Sequence, residues 1–168
     1  MKGMSLKIYV KQFFLLSLTL SSCHMYAPWF EYVKEGNENA VEFMLKEKKQ
    51  PVDERDGCRK TAMHYAAQYG YIQIAELLLK YYADVNETNK NRWTPLHTAA
   101  SFNRVEMIEW LVKHGADMYS ENLHHWKPVD IAKSDAKECL RLLMNRKKTV
   151  DEQKKHRADA VAAARGLK

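Results

Sequence analysis

Cysteine, glycine and proline are scarce in this chain of 168 residues, which contains three cysteines, six glycines and four prolines. Three cysteines are too few for a small scaffold held together by disulfides. The low glycine and proline content excludes collagen-like and low-complexity chains. Hydrophobic residues make up 46% and charged residues 29%. The composition therefore predicts one globular domain with additional terminal segments.

Acidic residues are absent from residues 1–22, which carry three lysines. The apolar run 13–20 that follows the lysines is too short to span a bilayer, which needs about 20 apolar residues. A basic start followed by a short apolar run is typical of a secretory signal peptide. The run ends in Leu20-Ser21-Ser22-Cys23, which resembles the lipobox of bacterial lipoproteins. The resemblance implies cleavage before Cys23 and attachment of lipid to its thiol.

A lipidated Cys23 would carry several acyl chains, and two or more membrane signals anchor a protein stably. His24 follows the cysteine, where the inner-membrane retention signal of bacterial lipoproteins usually has Asp. The resemblance therefore implies a lipid-anchored protein of the cell envelope, on the periplasmic face of the outer membrane. A plain signal peptide giving a secreted or periplasmic soluble protein, and an uncleaved buried segment, are the alternatives.

The body of the chain is repetitive. The segment TAMHYAA at 61–67 recurs as TPLHTAA at 94–100, and KPVDIA at 127–132 follows at the same spacing of 33 residues. Each copy precedes an amphipathic stretch rich in leucine, isoleucine and valine. No single repeat of this kind can bury its apolar face alone, so the copies must stack on one another.

The period and the T-P-L-H-x-A motif resemble those of the ankyrin repeat. The resemblance implies an all-α solenoid of helix-turn-helix repeats joined by β-hairpin loops, with about four repeats including degenerate end caps. It divides the chain into a signal peptide (1–22), a lipidated tether (23–30), an ankyrin domain (31–144) and a basic helical or disordered tail (145–168). The structural motif positions are Thr61, His64, Thr94, Pro95, His97 and Gly115.

The sequence departs from the ankyrin pattern at several turns. Arg59, Arg92 and His125 stand where the family usually has the glycine of the hairpin turn, and Tyr82 aligns with Gly115. A side chain in a left-handed backbone conformation costs roughly 1 kcal/mol. In the last copy, Lys127 and Asp130 replace the motif threonine and histidine. We therefore expect marginal stability and atypical outer repeats.

The formal charge of +6 is unevenly distributed along the chain. Residues 23–144 hold 16 basic and 18 acidic residues, whereas residues 145–168 hold eight basic and three acidic residues. The positive charge therefore belongs to the N-terminal segment and the tail, which removes the main argument for nucleic-acid binding. The tail is interpreted as a solvated helix or a disordered segment, with contact to anionic lipid headgroups as the functional alternative.

Catalytic and metal-binding patterns are missing from the sequence. It contains no CxxC, GxGxxG, GxSxG, P-loop or HExxH motif. His124 and His125 are adjacent on one hairpin without a third ligand nearby in sequence, which is unlike a zinc site. Cys58 and Cys139 fall in different repeats, so a disulfide between them is not expected. We predict a protein without enzymatic activity, cofactor or bound metal.

Ankyrin repeats bind proteins through their hairpin tips and the exposed face of their first helices, so the resemblance implies a protein partner. Aromatic side chains are favoured at such interfaces, although Trp93 and Trp126 could instead pack on their own hairpins. The function predicted is a monomeric, membrane-anchored protein-interaction module; the alternatives are an immunity-type inhibitor of a toxin and an effector acting in a host cell. The candidate partner-binding residues are Tyr69, Lys90, Asn91, Trp93, Phe102, Leu123, His124 and Trp126.

Overall fold

Four helix pairs follow one another in the computed structural model, which describes residues 27–47 and 51–164. The pairs are α1 (Ala27–Lys34) with α2 (Glu38–Lys46), α3 (Ala62–Tyr69) with α4 (Ile72–Lys80), α5 (Pro95–Ser101) with α6 (Val105–Lys113), and α7 (Pro128–Ile131) with α8 (Ser134–Ala164). Within these ranges there is no β-strand. The predicted all-α architecture is confirmed, while the lipobox and Cys23 lie outside the described residues.

The first helices of the four pairs, α1, α3, α5 and α7, pack side by side in chain order. The second helices lie behind them, with α2 against α4 and α6 against α8. Each helix pair also packs on itself, so every repeat contacts mainly its neighbours. This is the stacking expected of a solenoid, in which one continuous core runs through all repeats.

Small and large side chains alternate in that core. Ala66, Ala67, Ala99 and Ala100 are fully buried in the first helices, which lets neighbouring helices approach closely. The second helices contribute larger side chains, and those with no exposed surface include Ile74, Leu78, Ile108, Leu111 and Leu140. Burying one such side chain contributes about 1.5–3 kcal/mol to the free energy of folding, so the association of the helices depends on these buried side chains.

The N-terminal boundary of the domain differs from the one expected. Residues 23–30 were assigned to a tether, but α1 begins at Ala27 and buries Trp29, which has 0% exposed surface, and Phe30. Val33 lies on the same face, because residues three and four apart adjoin on a helix. Because this helix packs in the core, the folded domain includes residues 27–30.

The expected tail, helical or disordered from residue 145 onward, is helical where the structure describes it. α8 continues without a break to Ala164, while every side chain described from 145 onward is exposed. Lys147 places its Nζ atom 5.6 Å from the ring centroid of Tyr119. Residue 144 therefore marks where core packing stops, and the helix itself extends into solvent.

Two equivalent turns follow the second helices and differ in sequence. Gly115 has a φ angle of +94°, and Tyr82, at the matching position, has a φ angle of +68° with 91% of its surface exposed. The backbone thus keeps its left-handed turn even with a bulky side chain.

Among the described residues, no helix is long and apolar enough to cross a membrane.

Candidate functional site

Three loops of one design join the helix pairs, and we call residues 56–60, 89–93 and 122–126 the hairpin tips. In the first, the Oδ1 atom of Asp56 accepts hydrogen bonds from the backbone N–H groups of Cys58 and Lys60, both at 2.8 Å. In the second tip the backbone N–H groups of Asn91 and Trp93 donate in the same way to Oδ1 of Asn89. In the third tip those of His124 and Trp126 donate to Oδ1 of Asn122. Each tip is therefore closed by its own first residue.

The fourth residue of every tip has a left-handed backbone. Arg59, Arg92 and His125 have φ angles of +60°, +58° and +59°. The turn is the same in each case, since the backbone N–H of this residue donates to the carbonyl oxygen of the first residue of the tip. Three long side chains consequently project from a conformation that glycine adopts more easily.

Successive tips are joined through their backbones. The N–H of Lys90 donates to the carbonyl oxygen of Cys58 at 3.1 Å, and the N–H of Leu123 donates to that of Asn91 at 3.1 Å. These bonds fix the spacing of the tips and make them a single edge of the solenoid. A partner contacting several tips would meet a surface that is already ordered, which reduces the entropy lost on binding.

The motif histidines connect each repeat to the next. The Nε2 atom of His64 lies 2.9 Å from the carbonyl oxygen of Trp93. Because a carbonyl can only accept, Nε2 must carry the proton, and the other ring nitrogen, Nδ1, can then accept from the backbone N–H of Thr61 at 3.2 Å. His97 repeats both bonds with Trp126 and Thr94.

Both histidines are completely buried. Burial lowers the pKa of the His64 and His97 side chains below its usual value, although the carbonyl oxygen that each one faces acts in the opposite direction. The neutral ring is therefore the form that holds the repeats together.

The remaining motif residues lie where the first helices begin. Thr94 precedes α5 and its hydroxyl oxygen accepts from the backbone N–H of His97 at 3.4 Å, while Pro95 is the first residue of that helix. Thr61 precedes α3 and its hydroxyl contacts the Nδ1 atom of His64 at 3.0 Å. Proline suits the first helical position because its missing N–H would have no partner there.

Six of the predicted partner-binding residues lie at the tips, and all of them except Trp93 are exposed. Lys90 and Asn91 are exposed on the second tip, and Leu123, His124 and Trp126 are exposed on the third, with Leu123 54% and Trp126 52% exposed. The rings of His124 and Trp126 lie 5.2 Å apart. The structure thus places an apolar and aromatic group at the last tip, directly beside a polar one.

Trp93 differs from Trp126 although the two positions are equivalent. Trp93 is half-buried, and its ring stacks on that of His97 at a centroid distance of 6.2 Å. Asp130 replaces this histidine in the last repeat, so Trp126 has no ring at that place to stack on. Trp93 is held mainly by its own repeat, whereas Trp126 is available to a partner.

Tyr69 and Phe102 form a second group, at the far ends of α3 and α5. Phe102 is 46% exposed, and Tyr69 stacks on Tyr71 at 5.7 Å. A helix of seven or eight residues is about 10–12 Å long, which separates these rings from the tips by that length. The candidate residues therefore make two patches along one row of helices.

One contact of the first tip has no counterpart in the others. The hydroxyl of Tyr65 donates to Oδ2 of Asp56 at 2.6 Å. Burial and this hydrogen bond raise the pKa of Tyr65 well above its usual value. Burial acts to raise the pKa of Asp56 as well, but hydrogen bonds from Tyr65 and the backbone outweigh it and lower that pKa. The sequence contains no signal for this pair, because Thr98 and Ile131 occupy the equivalent positions of Tyr65.

Groups that could perform chemistry are dispersed. Cys58 is exposed and Cys139 is half-buried, and both are free. In the part of the chain that the structure describes, no three His, Cys, Asp or Glu side chains are grouped so as to hold a metal ion.

Comparison with known proteins agrees with this geometry. The family model described as "Ankyrin repeats (3 copies)" matches residues 22–89 and 83–156, which together make up most of the chain. A search of curated proteins finds no match. Ankyrin repeats are typically non-catalytic modules for protein–protein interaction. The matched residues and the stacked helix pairs show that this chain belongs to the ankyrin-repeat family.

Proposed function

We propose that this ankyrin-repeat protein is a monomeric, lipid-anchored module of the bacterial cell envelope that binds one protein partner through its hairpin tips and the ends of its first helices. The observation that carries the binding proposal is the exposure of Leu123, Trp126 and Phe102 on a backbone fixed by hydrogen bonds between repeats. Exposed aromatic and apolar side chains on a rigid scaffold are typical of interface hot spots.

Capture of the partner tests this surface. A tagged full-length chain, recovered from solubilised native envelopes, should retain its partner, and the double variant Phe102→Ala with Trp126→Ala should lose it. Both side chains are about half-exposed, so the variant should remain folded and helical. The matched control is Glu76→Ala with Glu109→Ala, because both glutamates are exposed on second helices. Retention of the partner by the double variant, or its loss in the control, would contradict the proposed surface.

The proposed anchor is a lipid on Cys23, supported by the basic and apolar segment that precedes it. The favoured location is the periplasmic face of the outer membrane. Metabolic labelling with an alkyne analogue of palmitate should mark the wild-type protein and not Cys23→Ala, whereas Cys58→Ala should keep the label. An unlabelled wild type, or equal labelling of Cys23→Ala, would overturn the anchor without affecting the binding surface.

A further inference from the structure

Positive charge is concentrated at the hairpin tips of an otherwise acidic domain. The three tips contain two lysines and two arginines, namely Lys60, Lys90, Arg59 and Arg92, and a single carboxylate, Asp56. The exposed carboxylates Glu76, Glu106 and Glu109 lie instead on the second helices, α4 and α6. The exposed lysines Lys80 and Lys113 lie at the ends of the same two helices, so charge is mixed there, whereas the tips are predominantly cationic.

The carboxylates near the tips are already occupied. Glu87 pairs with Arg55 at 2.7 Å, and Glu121 pairs with the ring of His125 at 3.1 Å. Asp56 accepts from the hydroxyl of Tyr65 and from two backbone N–H groups. Glu121 also lies 4.0 Å from the Nζ atom of Lys127, and none of these three carboxylates forms an ion pair with Arg59, Lys90 or Arg92.

The cations of the tips are left unpaired by this arrangement. Within residues 27–47 and 51–164, no ion pair involves Arg59, Lys90 or Arg92, and all three are exposed. An exposed guanidinium presents a planar set of donors that matches a carboxylate in two-point contact. These side chains are therefore available to carboxylates from outside the chain.

Arg59 and Arg92 project from left-handed turns, a conformation that Tyr82, Asn103 and Ser134 also adopt in this chain. Glycine adopts this conformation readily. Replacing either arginine by glycine therefore removes the cation and keeps the turn.

We infer that Arg59 and Arg92, which we call the cationic row, bind an acidic, extended segment of the partner protein. This inference rests on the proposed function and specifies the partner's chemistry. Adjacent packed helices are about 8–10 Å apart, so the two arginines are separated by about that distance. An extended segment of polyproline type has three residues per turn and advances about 9 Å per turn. Acidic residues at every third position of such a segment would meet successive tips.

The probe follows from this spacing. A rhodamine-labelled peptide of Glu-Pro-Pro repeats, about 12 residues long, presents carboxylates at the interval of one polyproline turn. The matched peptide of Gln-Pro-Pro repeats keeps the shape and removes the charge. Fluorescence anisotropy with the full-length protein should show binding of the glutamate peptide only, and added salt should weaken it because exposed charges are screened.

Two double variants separate the effect of charge on peptide binding from the effect of backbone conformation. Arg59→Gly with Arg92→Gly removes two cations and also relieves the left-handed strain, so it should weaken peptide binding by at least about tenfold while unfolding at a higher urea concentration. Arg59→Asn with Arg92→Asn, which also tolerates this conformation, should weaken binding equally. Lys80→Gln with Lys113→Gln removes two exposed cations from the ends of the second helices and should leave binding unchanged.

Several results would overturn the inference. Equal binding by the arginine variants, equal binding of both peptides, or no binding of either peptide would each do so. Preferential binding of a DNA duplex in competition would assign the row to nucleic acid instead. Partner capture through Phe102 and Trp126 is measured independently of peptide binding. The inference can therefore fail while the proposed function holds, and the two failures are distinguishable.

Discussion

His97 donates a hydrogen bond from its Nε2 atom to the backbone carbonyl oxygen of Trp126, at 3.0 Å. This bond crosses from the third repeat to the last one, and its other ring nitrogen accepts from Thr94. The side chain that stabilises the stack thus also holds the backbone of the most exposed aromatic residue at the tips. Stability and the binding surface depend on one buried imidazole.

Replacing His97 should therefore be costly. His97→Ala leaves the Trp126 carbonyl oxygen and the Thr94 N–H without their partner, and we expect the free energy of unfolding to fall by about 2–3 kcal/mol. Urea unfolding followed by circular dichroism measures this change. His156→Ala is the control, because this side chain is exposed on α8 and should alter stability by less than about 0.5 kcal/mol. Equal effects of the two variants would contradict the role of the buried bond.

Mild acid should destabilise the protein. The pKa of His64 and of His97 is lowered in the folded state, first of all by burial, while an unfolded histidine has a pKa of about 6.5. Below that pH the unfolded chain binds protons that the folded chain excludes, so the free energy of unfolding falls as the pH falls. Above it, the contribution of both histidines is fully present.

Urea unfolding between pH 7.5 and about 5.5 checks this sign while most carboxylates stay ionised. The pH dependence should be shallower in His97→Ala, because one of the two buried rings is gone. Asp53 has the opposite effect on the pH dependence of stability. Burial raises the pKa of its carboxyl group, so the folded chain binds this proton more readily than the unfolded chain as the pH falls. Stability that is constant or rising over this interval would show that the histidines titrate freely.

Tyr82 offers a route to a more stable protein. Its φ angle is +68° and its side chain is 91% exposed, so it contributes little packing in return for its strained backbone. Tyr82→Gly should raise the free energy of unfolding by up to about 1 kcal/mol, reduced by the larger conformational entropy of an unfolded glycine. The midpoint of thermal unfolding measures the change.

Gly115→Ala is the converse of this substitution. A Cβ atom at Gly115 would meet no heavy atom within 4 Å, so its cost should come from the φ angle of +94° alone. We expect Gly115→Ala to lower the free energy of unfolding by about 1 kcal/mol. A destabilised Tyr82→Gly variant would indicate that the tyrosine ring makes a contact that outweighs the strain.

The exposed part of α8 should be dispensable for folding. Deletion of residues 149–168 removes side chains that, where they are described, are exposed, and should change the free energy of unfolding by less than about 0.5 kcal/mol. Deletion of residues 140–168 also removes the buried Leu140 and should cost about 3 kcal/mol or more. Similar urea midpoints for the two truncated chains would contradict the limit of core packing placed near residue 144.

The sequence was sufficient for the repeat architecture because the spacing of 33 residues aligns the motif positions of successive copies. That alignment also predicted a left-handed turn at Tyr82, and the structure gives it a φ angle of +68°. For Arg59, Arg92 and His125 it indicated only that they replace the glycine of the hairpin turn. It could not separate Trp93 from Trp126, because their exposure depends on the residue four positions later, His97 in one repeat and Asp130 in the other.

The ends of the domain were harder to predict for a physical reason. A terminal repeat has a neighbour on one side only, so its sequence pattern weakens. Trp29 and Phe30 lie before the recognisable motif yet pack in the core. Helix α8 continues beyond its last buried residue, since helix propensity does not require a packed face at every turn.

Site-specific crosslinking in living cells tests the central claim, that the hairpin tips and first-helix ends contact a protein partner. A photoreactive phenylalanine analogue would be placed at Phe102 and at Leu123, both exposed on the proposed surface, and at Glu109, exposed on the opposite side. We predict one discrete adduct of the same mass from Phe102 and Leu123 and none from Glu109. An adduct from Glu109 alone, or identical adducts from all three positions, would contradict the account.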